Sequence, residues 1–322
     1  MMANMVTALN NALDQIMAEN KDVVILGEDV GKDGGVFRVT DGLFDKYGRD
    51  RVLDTPLAES SIAGVSIGMA ASGLRPIAEM QFAGFMLLAF SQIVNHAARF
   101  RARTRGGYTL PMVIRTPVSG GVRTLEHHSD SPEALYSHIG GLVVVEPSNP
   151  YDAKGLMIAA SHSDDPVIFL EPTKLYRLFK QEVPEDMYEV QLSKANVMKE
   201  GDELTIVTWG TMVNVVNNVV AKKKNVSAEV IDLRTINPLD EETILKSVEK
   251  TGRVMIVHEA SMSFGAGAEI AARIAEKEIF HLSAPVVRVA APSLPYPFPG
   301  YEQYYVPNEL RVSKAIDKIM SE

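Results

Sequence analysis

The fold is decided by residues 54–100, DTPLAESSIAGVSIGMAASGLRPIAEMQFAGFMLLAFSQIVNHAARF. A proline-containing turn that ends at Glu59 leads into a predicted helix of small residues, Ser61–Ser72. A short predicted strand follows at Ile77–Gln81, and a second, strongly apolar helix is predicted over Met86–Arg103. The stretch therefore places one carboxylate at the mouth of two well-packed helices, which indicates a site at a buried seam.

The composition is that of a globular protein with a sizeable core. Hydrophobic residues make up 46% of the 322 residues and charged residues 23%, and the length is enough for two domains. The net charge of −9 gives no electrostatic reason to bind nucleic acid or an anionic membrane. The absence of cysteine excludes disulfides, cysteine metal sites and thiol catalysis. Because neither a secretory signal nor an apolar run of ~20 residues is present, we expect a cytoplasmic protein.

Strand and helix patterns alternate through the first half of the chain. Predicted strands lie at Val23–Leu26, Arg51–Leu53, Ile77–Gln81, Met112–Arg115, Leu142–Val145 and Val167–Leu170. Predicted helices lie at Thr7–Glu19, Ser61–Ser72, Met86–Arg103, Pro132–Ser137 and Tyr151–Ser161. This alternation predicts an α/β fold with a mostly parallel sheet that is covered on both faces.

A segment rich in proline and mixed charge, Glu171–Lys199, interrupts this pattern and predicts a surface linker. A second α/β set begins at Leu204 and ends with an amphipathic helix at Glu309–Met320. We therefore predict a larger domain at residues 1–185 and a smaller one at residues 195–322.

Two features of the central stretch each allow two interpretations. A carboxylate such as Glu59 at the start of a helix is usually stabilised by the helix dipole, by roughly 0.3–1 kcal/mol. Its apolar neighbours also suit a carboxylate that shares a proton with the ring nitrogen of a cofactor. Gly64, Gly68 and Ser72 lie four residues apart and form one stripe of small residues, which favours either close packing on the sheet or a subunit interface.

Two histidines, His127 and His128, follow a loop that begins with Gly120 and Gly121. The glycines predict a mobile loop, and tandem histidines on a loop are most often solvent-facing or capping groups. The functional alternative is proton transfer near neutral pH. Neighbouring side chains point in different directions, so we expect at most one histidine to face a site. No histidine-carboxylate spacing indicates a transition metal, and Gly31–Gly35 predicts a plain turn.

Six motifs carry a resemblance to a known family, in the order TPLAESSIAG, RPIAEMQFAGF, SQIVNHAARFR, EHHSDSPEA, EPSNPYDAKGL and PVIFLEPTKLYR. Together they resemble the beta subunit of the thiamine-diphosphate-dependent decarboxylating component of 2-oxo acid dehydrogenase complexes. That family includes the pyruvate, branched-chain 2-oxo acid and acetoin enzymes. The resemblance covers residues 6–319 and implies a pyrimidine-binding α/β domain followed by a transketolase-like C-terminal domain.

The resemblance also implies roles for individual residues. Glu59 matches the glutamate that hydrogen-bonds ring nitrogen 1′ of the cofactor's aminopyrimidine and so activates the cofactor. The backbone near Leu57 and the side chains of Gln81 and Phe85 match positions that line the pyrimidine. The family often has tyrosine where Phe85 stands, so we expect stacking without a hydroxyl hydrogen bond. His128 matches the histidine beside the reacting carbon, which handles protons during reductive acylation of the lipoyl group.

A motif that is missing implies a partner. Enzymes with this cofactor bind its diphosphate through magnesium that a Gly-Asp-Gly segment and a downstream Asn hold, and this chain has only GDE at Gly201–Glu203. The resemblance therefore implies an alpha subunit that supplies magnesium and diphosphate binding. The expected assembly has two alpha and two beta chains and docks on a lipoyl acyltransferase core. The small-residue helix and the arginines that follow the second helix, at positions 99, 101, 103 and 105, would face that assembly.

Several expectations stay open at the level of sequence. Some relatives hold a structural potassium ion through backbone oxygens at the positions of Met112, Ala160, Ser161, Ser163 and Asp165. The substrate could be pyruvate or a branched-chain 2-oxo acid, with acetoin as a further option. The alternatives are a non-catalytic scaffold subunit of the same fold and a fragment of a single-chain transketolase or deoxyxylulose-phosphate synthase. The missing Gly-Asp-Gly segment weighs against the fragment, and a missing glycine fingerprint weighs against a nicotinamide dehydrogenase.

Overall fold

The computed structural model describes all of residues 1–322. In chain order the strands are β1 (Met2–Ala3), β2 (Val23–Gly27), β3 (Val52–Asp54), β4 (Arg75–Glu79), β5 (Val113–Val118), β6 (Val143–Val145), β7 (Val167–Pro172), β8 (Gln181–Glu182), β9 (Asn196–Lys199), β10 (Leu204–Thr208), β11 (Ala228–Asp232), β12 (Thr235–Asn237), β13 (Val254–Ser261) and β14 (Val287–Ala291). The helices are α1 (Met5–Glu19), α2 (Leu43–Tyr47), α3 (Glu59–Ala71), α4 (Phe100–Arg103), α5 (Glu133–Ser137), α6 (Pro150–His162), α7 (Thr211–Lys222), α8 (Glu241–Thr251), α9 (Ala266–Glu278), α10 (Glu302–Tyr305) and α11 (Glu309–Ser321).

The larger sheet contains seven strands in the order β12-β6-β7-β5-β4-β2-β3. All of its pairings are parallel except that of β12 with β6. Its inner strands are buried along their length, as in the VVILG segment of β2 and the VIFLEP segment of β7. Buried parallel strands need apolar side chains on both faces, which explains these continuous β-branched runs. The predicted α/β class with a mostly parallel sheet is confirmed.

The smaller sheet has the order β14-β13-β10-β11-β9, with β9 antiparallel at one edge. One apolar cluster runs without interruption from the larger sheet into the smaller one and includes Ile114, Ile168, Trp209 and Ile256. In addition, β12 comes from the second half of the chain but pairs with β6 of the larger sheet. The two halves therefore share both a core and a sheet. No helix is long and apolar enough to cross a membrane.

The segment predicted as a surface linker is held down at several points. β7 continues through Pro172, and β8 pairs with β1 at the start of the chain. The ammonium of Lys154 on α6 donates to the carbonyl oxygens of residues 184, 185 and 186, at 2.8, 3.1 and 2.9 Å. The sequence could not show this, because strands of two residues have no detectable period and the lysine lies on a distant helix.

The predicted helix Met86–Arg103 is divided into three helical pieces. A 3₁₀ turn covers Phe85–Ala89, a π-helical turn covers Gln92–Ala97, and α4 follows. The amide of Ala98 donates to the carbonyl oxygen of Ile93 at 2.9 Å, which is the five-residue spacing of a π turn. The wider turn keeps Ile93, Val94 and Ala97 buried, and an apolar run alone does not reveal such a change of pitch.

Candidate active site

The predicted site residues follow neighbouring strands of the larger sheet. Glu59 comes after β3, Gln81 after β4, and the loop that carries His128 after β5. Because β3, β2, β4 and β5 are adjacent and parallel, their carboxyl ends meet at one edge of the sheet. Open α/β sheets bind ligands at that edge, so the topology brings distant parts of the sequence into one crevice.

The carboxylate of Glu59 is buried and makes no hydrogen bond within the chain. It is the first residue of the 13-residue helix α3, and only 4% of it is exposed. The helix dipole favours a negative charge at this position. Glu28, which follows β2, is also buried and has an Oε1 atom without a partner. Burial and the nearby charge of Glu59 raise the pKa of Glu28. The Glu59 carboxylate is therefore free to accept a hydrogen bond from a ligand.

Aromatic rings form one wall of the crevice. The ring centroid of Phe82 lies 4.3 Å from that of His128, and the rings of Phe85 and His128 are 5.3 Å apart, both edge to face. Phe37 extends the wall at 5.6 Å from Phe82. Such edge-to-face contacts hold ring orientations well. The wall fixes the His128 ring and presents Phe85, which is half-buried, to the crevice.

His128 sits in a tight 3₁₀ turn, Glu126–His128. Burial and the neighbouring His127 lower the pKa of His128, and its Nδ1 atom is buried without a partner. The His127 ring lies 5.7 Å from Phe85 and 4.2 Å from the His128 ring. The expectation that the two histidines point apart was therefore wrong, because the tight turn brings both rings to the same phenylalanine. His127 stays about half exposed.

The remaining predicted residues also lie at this edge. Gln81 donates from Nε2 to Asp29 Oδ2 at 3.1 Å. The Leu57 side chain is 78% exposed, so within this chain Leu57 offers its backbone rather than its side chain. Sequence reasoning missed Glu28, Asp29 and Phe82. A signal was present for the first two, because an acidic pair directly after a buried strand is placed at a ligand-binding edge.

The glycines at the start of the loop that carries His128 permit close packing, and the mobility of this loop stays a prediction. A Cβ atom at Gly120 would overlap the hydroxyl of Tyr296. Gly121 has a φ of +87°, and a Cβ atom there would lie 2.8 Å from Cδ of Lys174. Only glycine allows the loop to approach Tyr296 of the second half and Lys174 of the first half so closely.

The stripe of small residues on α3 faces open space. A Cβ atom at Gly68 would meet nothing within 4 Å, and the nearest neighbour at Gly64 is Gln92 Oε1 at 4.0 Å. Close packing of the stripe on the sheet is therefore excluded, while the subunit-interface alternative stays a prediction. The 3₁₀ turn Phe85–Ala89, which contacts α3, also leaves two leucine side chains exposed, Leu87 and Leu88.

A buried ion network lies beneath the crevice. Arg115 on β5 donates from Nε and Nη2 to both oxygens of Glu171, at 2.7 and 2.6 Å, and from Nη1 to Glu79. The hydroxyl of Tyr176 donates to Glu171 at 2.6 Å. Adjacent strands β4, β5 and β7 supply the three charged groups. The network joins β4 to β5, the strands that are followed by Gln81 and by the loop that carries His128.

No cluster of three or more His, Cys, Asp or Glu side chains could hold a metal ion. The five backbone oxygens expected for potassium all accept hydrogen bonds within the chain, and Arg75 Nη1 donates to two of them, Ser161 O at 2.9 Å and Ser163 O at 3.2 Å. Arg75 thus already brings a positive charge to two of the five oxygens, and potassium binding stays an expectation from the resemblance.

Comparison with protein families matches both halves of the chain. Residues 1–178 match the family described as transketolase, pyrimidine binding domain. Residues 193–312 match the family described as transketolase, C-terminal domain. A solved structure titled split gene transketolase, inactive beta4 tetramer, superposes with a TM-score of 0.79 at 23% identity. It covers 98% of this chain and 97% of that chain, which shows that the two have the same fold.

Curated relatives are similar over nearly the full length. A protein of Acholeplasma laidlawii is 50% identical over 314 residues, which are 97% of this chain and 96% of the relative. A protein of Mycoplasma genitalium is 48% identical over 98% of each chain. A protein of Staphylococcus aureus is 49% identical over 95% of this chain and 94% of the relative. All three are named pyruvate dehydrogenase E1 component subunit beta.

Proposed function

We propose a function from the premise that the chain belongs to the beta subunits of thiamine-diphosphate-dependent 2-oxo acid dehydrogenases. In this proposal the chain binds the pyrimidine half of the cofactor, and an alpha subunit binds the diphosphate and magnesium. The assembled enzyme decarboxylates pyruvate and transfers the acyl group to a lipoyl-lysine. The observation that carries the proposal is the buried Glu59 carboxylate, which has no hydrogen-bond partner within the chain and lies at the ligand-binding edge.

The residues at this edge fit an aminopyrimidine. Glu59 can accept a hydrogen bond from a protonated ring nitrogen, which an unpaired buried carboxylate needs. Gln81 offers an amide, and Phe85 offers a ring for stacking. When bound, thiamine diphosphate supplies the carbon that bonds to the 2-oxo group of the substrate. This chain lacks the Gly-Asp-Gly segment that holds magnesium in enzymes with this cofactor, so we assign magnesium to the alpha subunit.

Each residue then has a definite task. Glu59 holds the ring of the cofactor in the protonation state that activates it. The lowered pKa of His128 keeps its imidazole neutral at pH 7, so it can accept a proton near the reacting carbon. Phe82 and Phe85 orient the imidazole through their edge-to-face contacts.

Pyruvate is the substrate we propose. Relatives between 46% and 50% identical carry the name pyruvate dehydrogenase, which supports this choice over a branched-chain 2-oxo acid or acetoin. Much of the substrate pocket would lie on the alpha subunit, so the assembled enzyme has to be tested. A panel of pyruvate, branched-chain 2-oxo acids and acetoin, compared by kcat/KM, would overturn the choice if another substrate is preferred.

The proposed partners follow from the residues that this chain lacks for binding the diphosphate and magnesium. We propose an assembly of two alpha and two beta chains, docked on a lipoyl acyltransferase core, and the open small-residue stripe on α3 supports a close helix contact with another chain. The division into domains at residues 1–185 and 195–322 is likewise proposed. Co-expression with a candidate alpha subunit, followed by analytical ultracentrifugation, tests the assembly.

The decisive test of the site is Glu59→Gln in the assembled enzyme. We expect decarboxylation to fall by about 10²–10⁴-fold, because glutamine cannot hold a proton in the same way. Glu309→Gln is a matched control, since Glu309 also begins a 13-residue helix but is half-exposed and pairs with Lys222 on α7. A near wild-type rate for Glu59→Gln contradicts the assignment, and it is the result a non-catalytic scaffold subunit would give.

A further inference from the structure

We propose that two carboxylates from the second half of the chain, Glu259 and Glu302, are positioning residues for the loop that carries His128. This histidine loop comprises residues 119–131. The proposal rests on the proposed function, because the task of His128 comes from it. The contacts themselves belong to the fold and can be measured without any catalytic assay.

The histidine loop is held together by hydrogen bonds of its own. Where its two ends meet, the amide of Ser119 donates to the carbonyl oxygen of Asp130 at 2.9 Å. Within it, the hydroxyls of Thr124 and Ser129 lie 2.8 Å apart, and Ser129 Oγ donates to Leu125 O at 3.1 Å. A loop held together in this way moves largely as one unit, so fixing its N-terminal part also fixes the part that carries His128.

The N-terminal part of the histidine loop is held through its backbone amides. Glu259 Oε1 accepts from the amide of Gly120 at 2.5 Å, and Glu302 Oε1 accepts from the amide of Gly121 at 2.6 Å. Glu302 Oε2 accepts from the amide of Arg123 at 3.2 Å. Both glutamates are buried. Burial raises the pKa of Glu259 to about 7, and a charged carboxylate accepts hydrogen bonds more strongly than a neutral one, so the bond from Gly120 is strongest above that pH.

The two carboxylates come from different elements of the second half. Glu259 lies on β13, and Glu302 begins α10 after a 3₁₀ turn at Pro299–Tyr301. The hydroxyl of Tyr296 also donates to Glu302, which sets the orientation of that carboxylate. The second half thus presents a rigid pair of acceptors to the loop.

The C-terminal part of the histidine loop contains His128, whose ring lies 4.3 Å from that of Phe82 in the aromatic wall. The loop therefore spans from the carboxylate pair to the crevice. A change at Glu259 or Glu302 should displace the imidazole of His128, because the loop moves largely as one unit. The displacement should lower the rate, because a misplacement of about 1 Å in an active site is costly. If the carboxylates served only to join the two halves, their loss would loosen the whole interface without a selective effect on the loop.

The experiment uses Glu302→Gln in the assembled enzyme. The substitution keeps the shape but turns one acceptor oxygen into a donor that faces the amide of Arg123. We expect hydrogen exchange in peptides from residues 119–131 to become about ten- to a hundredfold faster, with little change elsewhere. We also expect kcat to fall about tenfold, with KM changed less than about twofold. Glu309→Gln, at a half-exposed glutamate that begins α11 of the second half, is the matched control.

The proposal is overturned if exchange in the loop is unchanged, or if it accelerates equally across the whole contact between the halves. If Glu302→Gln fails to fold, Tyr296→Phe decides, because it removes only the hydroxyl that orients Glu302. Loop-limited acceleration in that variant supports the proposal, and unchanged exchange overturns it. Failure of the proposed function would appear separately, as full activity in Glu59→Gln, and would leave the exchange result intact.

Discussion

Replacement of Arg115 by methionine should destabilise the protein strongly and in a pH-dependent way. The guanidinium is 1% exposed, and the two carboxylates that it contacts, Glu79 and Glu171, are 4% and 0% exposed. Methionine fills a similar volume but leaves both carboxylates buried without a cation. Removal of one partner from a buried ion pair typically costs about 3–5 kcal/mol. Because two carboxylates lose their partner, we expect a loss in the upper part of that range at pH 8.

The pH dependence follows from the carboxylates. Burial already raises the pKa of Glu79 in the presence of the arginine, and the pKa of Glu79 should rise further when the cation is removed. A carboxyl group with a raised pKa in the folded state binds protons more tightly there than in the unfolded chain. The folded state of the variant is therefore favoured as the pH falls, and the stability difference from the wild type should shrink at pH 5.5.

Guanidinium unfolding followed by far-ultraviolet circular dichroism measures this difference at both pH values. The matched control is the triple variant Arg115→Met, Glu79→Gln and Glu171→Gln, which removes the stranded charges and should recover most of the loss. A single variant as stable as the wild type at pH 8, or an equal loss at both pH values, would refute the reasoning. The first result would mean that the network does not hold the strands beneath the crevice, and the second would mean that the loss of stability does not come from unpaired carboxylate charges.

Three further predictions follow from other contacts. Since burial lowers the pKa of His128, Phe82→Ala should raise that pKa toward its ordinary value of 6.5, and a histidine NMR titration that shows no rise would contradict the packing assigned to the ring. Gly68→Ala should stabilise the chain by about 0.5–1 kcal/mol, whereas Gly68→Trp should block association with the alpha subunit in ultracentrifugation. Lys154→Met removes three hydrogen bonds to residues 184–186, so limited proteolysis should cleave that segment faster, and unchanged cleavage would show that the lysine does not hold it.

Much of the fold could be predicted from the sequence, because the buried parallel strands have a strong apolar signature. The alternation around Val23–Leu26 and Val167–Leu170 led directly to the observed sheet. The short strands β1, β8 and β12 could not be predicted, because each of them pairs with a segment that is distant in sequence.

The candidate site was predicted only in part. Glu59 stood out because a lone carboxylate followed apolar residues, and motif order suggested His128. The positions of Glu28 and Phe82 beside them depend on which strands are neighbours, and a single sequence does not give strand order. The acceptors of the histidine loop, Glu259 and Glu302, lie more than a hundred residues away from it, so no local pattern could connect them.

The pairing of β12 with β6 limits how the chain can be dissected. A fragment that ends at residue 185 would lack residues 235–237 and leave the outer edge of β6 with unpaired backbone groups. Exposed strand edges recruit other chains, so such a fragment should aggregate. The boundary between the halves is a place where homologous pieces cannot simply be exchanged. A chimaera would need to carry β12 together with the sheet that it completes.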